Sequence, residues 1–241
     1  MTATALRTIG LLGGMSWLST LPYYRIINET VQATLGGLHS ARILLLSVDF
    51  EEIEALQRAG EWETAGERLA QAAQQLERGG ADFIVLCTNT MHRVASYIET
   101  ATRLPLLHIA DATAERIAAD GLGRIGLLGT RYTMEEPFYR ERLARDHGLD
   151  VLVPDAPDRA IVNTVIFDEL CRGEISAASR TAFTSIAARL QAGGAQAIVL
   201  GCTEIGLLLT ADDVGVPLYD TCRLHAEAAA RRAMSPGRPR S

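Results

Sequence analysis

Two segments of the chain align without a gap, GGADFIVLCTNT at residues 79–90 and GGAQAIVLGCTE at residues 193–204. Gly79 and Gly80 fall on Gly193 and Gly194, and Ile84, Val85 and Leu86 fall on Ile198, Val199 and Leu200. Where the apolar run ends, Thr88 falls on Cys202, a hydroxyl against a thiol. Both groups can carry a proton. A carbon acid, such as the α-carbon of an amino acid, is inverted by taking its proton from one face and returning one to the other. Two opposed acid–base groups perform that task directly. A thiol suits it, with a reference pKa of about 8.5 that helix N-termini and cationic neighbours lower. Cys202, between Gly201 and Thr203, is therefore a candidate base and Thr88 its counterpart. The plainer reading of either is a packed core side chain, the usual fate of a free cysteine.

The rest of the composition narrows the chemistry. Cysteines at 87, 171, 202 and 222 include no C-x-x-C pair, so the spacing supports neither a zinc site nor a disulfide framework. No lysine occurs, and all 23 basic residues are arginine. Pyridoxal phosphate chemistry through a lysine Schiff base is thereby excluded, as is a Walker A loop. A net charge of −6 argues against a nucleic-acid footprint, which needs a basic patch or stripe.

The elements that must position Thr88 and Cys202 are legible in a wider repeat. TIGLLGG (8–14) is echoed by RIGLLGT (124–130), and LPLLH (104–108) by VPLYD (216–220). With the opening pair, the matches lie 116, 114 and 112 residues apart, so the chain reads as two copies of one unit of about 110 residues. Each copy alternates short apolar runs with longer helical patterns. In the first, strands IGLLG, ARILLLSV, DFIVLC and one near LPLLHI are separated by helices at about 19–35, 64–78 and from Met91. In the second, strands IGLLG, VLVP and QAIVLGC are separated by a helix through EEPFYRERLARDHG and helices across 161–192. AEAAARRAM (226–234) reads as a terminal helix.

Such alternation predicts an α/β fold of two pseudosymmetric Rossmann-like lobes, each a parallel sheet with right-handed crossovers. The near-continuous apolar strands suit sheets covered on both faces. Expected boundaries are 1–112 with 221–235 for the first lobe, 113–220 for the second, and 236–241 as a disordered tail. Ligands of open parallel sheets sit beyond the carboxyl ends of the strands. Here those ends read GGMS, CTNTMH, GTRYT and GCTE, and the expected active site is the cleft between the lobes. The longest apolar runs are far short of the roughly 20 residues of a membrane span. The first residues, MTATALRTIG, have no long apolar stretch of a signal peptide, so a cytoplasmic location is expected.

The motifs TIGLLGGMSW, CTNTMH, GTRYTM and GCTE, with the twofold repeat, resemble the aspartate/glutamate racemase family, from Thr8 to about Ala230. The nearest resemblance is to its bacterial L-aspartate/glutamate-type subgroup. The resemblance implies two lobes with the site between them, no cofactor, two-base proton transfer at Cα, and a homodimer as the expected assembly. The usual pair of bases is two cysteines, the first within C-N-T-x-H. Here those positions are Thr88-Asn89-Thr90-Met91-His92, and the cysteine present, Cys87, comes one residue early. The internal repeat independently pairs Cys87 with Gly201, so Cys87 reads as structural and Thr88 takes the first role. The expected resting state carries a Cys202 thiolate and a Thr88 hydroxyl.

By the same resemblance Met15 and Ser16 line the site, and Gln57 lies in the specificity region. Asn89, Thr90 and Met91 would present donors to the substrate carboxylate, with Thr203, Thr130 and Thr133 in mirrored roles. The alternative for each is ordinary turn or cap chemistry. His92 either supports the site or is a satisfied core histidine, and Asp49, Glu51 and Glu52 read as a solvated helix entry.

These readings converge on a cofactor-independent amino-acid racemase acting on aspartate or glutamate, with a small-molecule substrate and neither nucleic acid nor membrane as partner. The alternatives are a non-catalytic amino-acid-binding protein, or a superfamily isomerase of the maleate isomerase or hydantoin racemase type. A dinucleotide-binding protein ranks below both, because IGLLGG is not G-x-G-x-x-G.

Overall fold

A computed structural model describes residues 6–235; the tail expected at 236–241 lies outside them. In chain order the elements are β1 (Thr8–Gly13), α1 (Trp17–Leu35), β2 (Arg42–Ser47), α2 (Phe50–Ala59), α3 (Trp62–Arg78) and β3 (Phe83–Leu86). After a 3-10 turn (Thr90–Val94) come α4 (Ala95–Ala101), β4 (Leu106–Leu107), α5 (Ile109–Ala119), β5 (Arg124–Gly129), α6 (Arg131–Glu135), α7 (Pro137–His147) and β6 (Asp150–Leu152). The chain continues through α8 (Ala156–Asp168), α9 (Ala177–Ala192), β7 (Ala197–Gly201), β8 (Leu218–Asp220) and α10 (Thr221–Met234). Two compact units result. One comprises the chain through Cys87, Val94–His108 and the segment from His225; the other comprises Thr88–Arg93 and Ile109–Leu224.

The first unit is built on a parallel sheet in the order β2-β1-β3-β4. Central strands β1 and β3 are buried along their whole length, as their continuous apolar runs require. Helix α3 covers the sheet with Ala65, Leu69, Ala72, Ala73 and Leu76, a stripe at helical spacing in an otherwise charged sequence. At the end of β1 the backbone turns sharply. Gly14 has φ +96°, and a Cβ there would stand 2.2 Å from the Val48 carbonyl oxygen, so no other residue fits. Its N–H donates to Thr20 Oγ1 at 2.9 Å, fixing the entry of α1. Met15 and Ser16 are thereby set at the carboxyl end of the sheet's central strand.

The second unit repeats the plan with a parallel sheet in the order β6-β5-β7-β8. Strand alternation divides its side chains between two cores. Ile125, Leu127, Ala197 and Val199 pack with α5 and α7 through Ile117, Tyr139 and Leu143. Leu128, Ile198 and Leu200 pack with α8 and α9 through Val162, Ile166, Phe183 and Ile186. Each fully buried Leu, Ile or Val contributes roughly 1.5–3 kcal/mol, so neither layer is dispensable. Two residues beyond Leu200, Cys202 continues the same side and joins the α8/α9 core. Just before it, β5 and β7 approach closely. A Cβ on Gly201 would lie 2.7 Å from Leu127 Cδ1, and one on Gly129 would lie 2.8 Å from the Gly201 carbonyl oxygen.

The structure departs from the sequence reading in adding α5, in starting α8 at Ala156, and at two further helix starts. The segment from Met91 opens as a 3-10 turn, with the His92 N–H donating to the Asn89 carbonyl at 3.1 Å, and the α-helix begins only at Ala95. Helix α10 starts at Thr221 instead of 226, because Asp220 Oδ1 accepts from the N–H groups of Cys222 and Arg223 at 2.9 and 3.2 Å. No helix among the described residues is long and apolar enough to cross a membrane.

Candidate active site

Thr88 follows the end of β3 and Cys202 the end of β7, and both side chains are buried. Each leads a short network. The Thr88 carbonyl accepts from His92 Nδ1 at 2.7 Å, while His92 Nε2 accepts from the Ile109 N–H at 3.3 Å. This is the pattern of a neutral imidazole protonated on Nδ1. His92 is a buried, hydrogen-bonded histidine that fixes the main chain of Thr88, which joins the two roles left open by its sequence position.

Asn89 is 3% exposed and its amide orientation is determined by its neighbours. Thr221 Oγ1 donates its hydrogen to the Leu200 carbonyl at 2.7 Å, so it can only accept from Asn89, whose Nδ2 lies 3.0 Å away. Asn89 Oδ1 is left buried with no protein partner. A buried acceptor without a donor costs about 1–3 kcal/mol. One of the two Nδ2 hydrogens is thus given to Thr221, and the open oxygen is an acceptor suited to an ammonium group.

Thr90, Thr130 and Thr133 come together as a buried hydroxyl chain, with Oγ1 separations of 2.9 Å (Thr90 to Thr130) and 3.2 Å (Thr130 to Thr133). Thr130 is also the N-cap of α6, accepting from the Thr133 N–H at 3.3 Å. Met91 is fully buried beside them in sequence. Met15 and Ser16, at the end of β1, and Gln57, in α2, are buried within the first unit. The Ser16 carbonyl accepts from Ser19 Oγ at 2.9 Å and Thr20 Oγ1 at 3.0 Å.

The Cys202 network contains a residue to which the sequence reading gave no role. Cys202 Sγ lies 3.1 Å from Glu204 Oε2, and Thr203 Oγ1 donates to the same oxygen at 2.7 Å. Glu204 is 3% exposed. Burial, and then the charge of Glu204, push the Cys202 thiol well above the ordinary range. The direction of that shift runs against the expected resting thiolate. Glu204 stood in the quoted GCTE motif, so its type was the available signal. Thr221 had no signal beyond its position after the repeated VPLYD. Cys87 is fully buried, its thiol raised by desolvation and directed at the Val85 carbonyl 3.7 Å away. Among the described residues no group of three or more His, Cys, Asp or Glu side chains is placed to hold a metal ion.

The site thus offers a hydroxyl, a thiol backed by a carboxylate, an unfilled acceptor and a run of hydroxyls at parallel strand ends, the inventory for binding and deprotonating a small zwitterion. The family model for Asp/Glu/hydantoin racemases matches residues 12–229. The chain is 56% identical to a candidate Asp/Glu racemase from Yersinia pestis, covering 95% of this chain and all of that one with a TM-score of 0.89. It is 31% identical to an aspartate racemase homologue from Pyrococcus horikoshii OT3, over 95% of this chain and all of that one, with a TM-score of 0.82. It is also 23% identical over 228 residues to the broad specificity amino-acid racemase RacX of Bacillus subtilis, covering 88% of this chain and 92% of that protein. With nearly its whole length matched, the chain belongs to the Asp/Glu/hydantoin racemase family.

Proposed function

We propose that this amino-acid racemase acts on aspartate and/or glutamate by two proton transfers at Cα, without a cofactor, with Cys202 and Thr88 as the two acid–base groups. The observation that carries the reading is the match of the Cys202 and Thr88 strand ends to one another within a family of racemases, each held by its own buried network. Asn89 Oδ1, the orphaned acceptor, takes the α-ammonium group of the substrate. Backbone N–H groups of the Thr88–Met91 segment and the Thr90–Thr130–Thr133 hydroxyls serve its carboxylate and stabilise the enolate-like charge that develops on deprotonation. Thr203 completes the substrate contacts. The protein works in the cytoplasm as a homodimer. The exposed Trp17, Leu21 and Tyr24, spaced along one face of α1, give such an assembly an apolar surface to cover.

Proton NMR of each candidate amino acid in D₂O tests the reaction class. The α-hydrogen of L-aspartate or L-glutamate washes out with the wild-type enzyme, and Cys202→Ala slows washout by about 10²–10⁴-fold. Tight binding of either amino acid without any washout would favour the amino-acid-binding protein. Washout confined to hydantoins would move the substrate assignment to that branch of the family.

A further inference from the structure

We propose that Glu204 is the proton station of Cys202: thiol and carboxylate hold one proton between them, and its passage from Sγ to Oε2 creates the thiolate that takes the substrate α-hydrogen. The proposal rests on the racemase reading and adds a positioning residue to it. Three facts of geometry carry it. The carboxylate is buried, so water does not compete for its lone pairs. One oxygen, Oε2, receives both the Cys202 thiol at 3.1 Å and the Thr203 hydroxyl at 2.7 Å, the convergence of donors that an ionised carboxylate attracts. The three residues are adjacent on the turn after β7, between the core-packed Cys202 and the 3-10 turn Ile205–Leu207, so their spacing is fixed by the backbone.

The proton count closes. In the resting site the S–H bond is intact and Glu204 is anionic. On substrate arrival the S–H bond breaks, its electron pair stays on sulfur, and an O–H bond forms at Oε2. The thiolate then takes the α-hydrogen while the C–H electron pair stays on carbon. Thr88 delivers a proton to the opposite face and is left as an alkoxide. Solvent water returns one proton to Thr88 and removes one from Glu204, restoring the start. Thr203 follows the charge on Oε2, donating strongly to the carboxylate and weakly to the acid. The remaining charged or titratable group that bears on the thiol is Cys171, from the turn Leu170–Arg172. Cys171 acts on the thiol in the same direction as the Glu204 charge, and the lowering by the Glu204 backbone hydrogen bond does not offset burial and these charges.

The experiment is iodoacetamide labelling of Cys202 in the substrate-free enzyme across pH, read by peptide mass spectrometry, in wild type, Glu204→Gln and Glu204→Asp. In wild type the labelling midpoint lies above the ordinary thiol value of about 8.5. Glu204→Gln keeps the shape and removes the charge, so its midpoint falls toward that value, while Glu204→Asp retains part of the elevation. In parallel, Glu204→Gln lowers kcat at least tenfold with little change in KM, and Glu204→Asp recovers part of the loss. A carboxylate that merely holds the turn would reduce the folded fraction without moving the midpoint. An unmoved midpoint in folded Glu204→Gln overturns the proposal and leaves the racemase reading intact. A wild-type protein that exchanges no amino-acid α-hydrogen overturns that reading, and with it the catalytic use of the shared proton, whatever the midpoint does.

Discussion

At the scale of single residues, the pairing of a threonine with a cysteine sets the chemistry apart from a symmetric thiol pair. A thiol releases its proton far more readily than an aliphatic alcohol, so in the proposed mechanism a thiol at position 88 is at least as able a proton donor. Thr88→Cys should therefore keep or raise kcat, and Thr88→Ala should lower it; steady-state kinetics from both enantiomers read the outcome. A dead Thr88→Cys beside an active Thr88→Ala would reverse the assignment. Cys87, one residue earlier, is the internal control. It is fully buried and its thiol faces the Val85 carbonyl, so Cys87→Ala should leave kcat unchanged and cost about 1 kcal/mol in denaturant unfolding. The proposed pair of bases was legible because the duplicated strand end compares each position with its twin. The hydrogen-bond partner of Cys202 was not, because it depends on Glu204 folding back over the thiol at 3.1 Å, and no spacing rule encodes which way a carboxylate two residues on will point.

At the scale of elements, the strands were readable because the central strands of both sheets bury both faces, which makes β1, β3, β5 and β7 nearly unbroken apolar runs. Helix starts were less readable, since a cap such as Asp220 is one polar residue whose meaning depends on the turn it closes. The glycines at strand ends are likewise contextual. Gly201→Ala should displace the turn that carries Cys202, because its Cβ would meet Leu127 and the Leu128 carbonyl, at 2.7 and 3.0 Å. A fall in kcat of at least tenfold in a protein that still folds, checked by circular dichroism, is the expected result. Helices α5 and α7 are joined by Asp111, which accepts from Arg142 Nε and Nη2 at 2.6 and 2.7 Å and from His147 Nε2 at 3.0 Å. Partial burial raises the Asp111 carboxyl, but those hydrogen bonds and charges outweigh it and hold the group below its ordinary value. A depressed carboxylate stabilises the fold above its unfolded pKa, about 3.9, and that contribution is lost as pH falls through the lower folded value. Asp111→Asn should therefore lower Tm at neutral pH, and the difference from wild type should shrink below about pH 4.

For the molecule as a whole, duplication gave two copies of one parallel sheet order and then let their corresponding strand ends diverge. The consequence is a catalyst that is symmetric in plan and asymmetric in its groups, while the reaction it serves has no preferred direction. Enantiomers are equal in free energy in water, so kcat/KM must be the same from either side whatever the bases are. The divergence of Thr88 from Cys202 can appear only in kcat and KM taken separately, which should differ between enantiomers by one common factor. Isotope flow then reports whether one group or two handle the proton. With separate groups on opposite faces, the hydrogen taken from the substrate exchanges with solvent on one group while the product receives its hydrogen from the other. In D₂O, starting from the L enantiomer, the first D product should carry deuterium at Cα while the recovered L substrate still carries hydrogen. Chiral chromatography with mass detection at under a tenth of conversion reads both pools. Deuterium entering the recovered L pool faster than D product forms would mean that one face both gives and takes, and Thr88 would then have no part in the proton transfer.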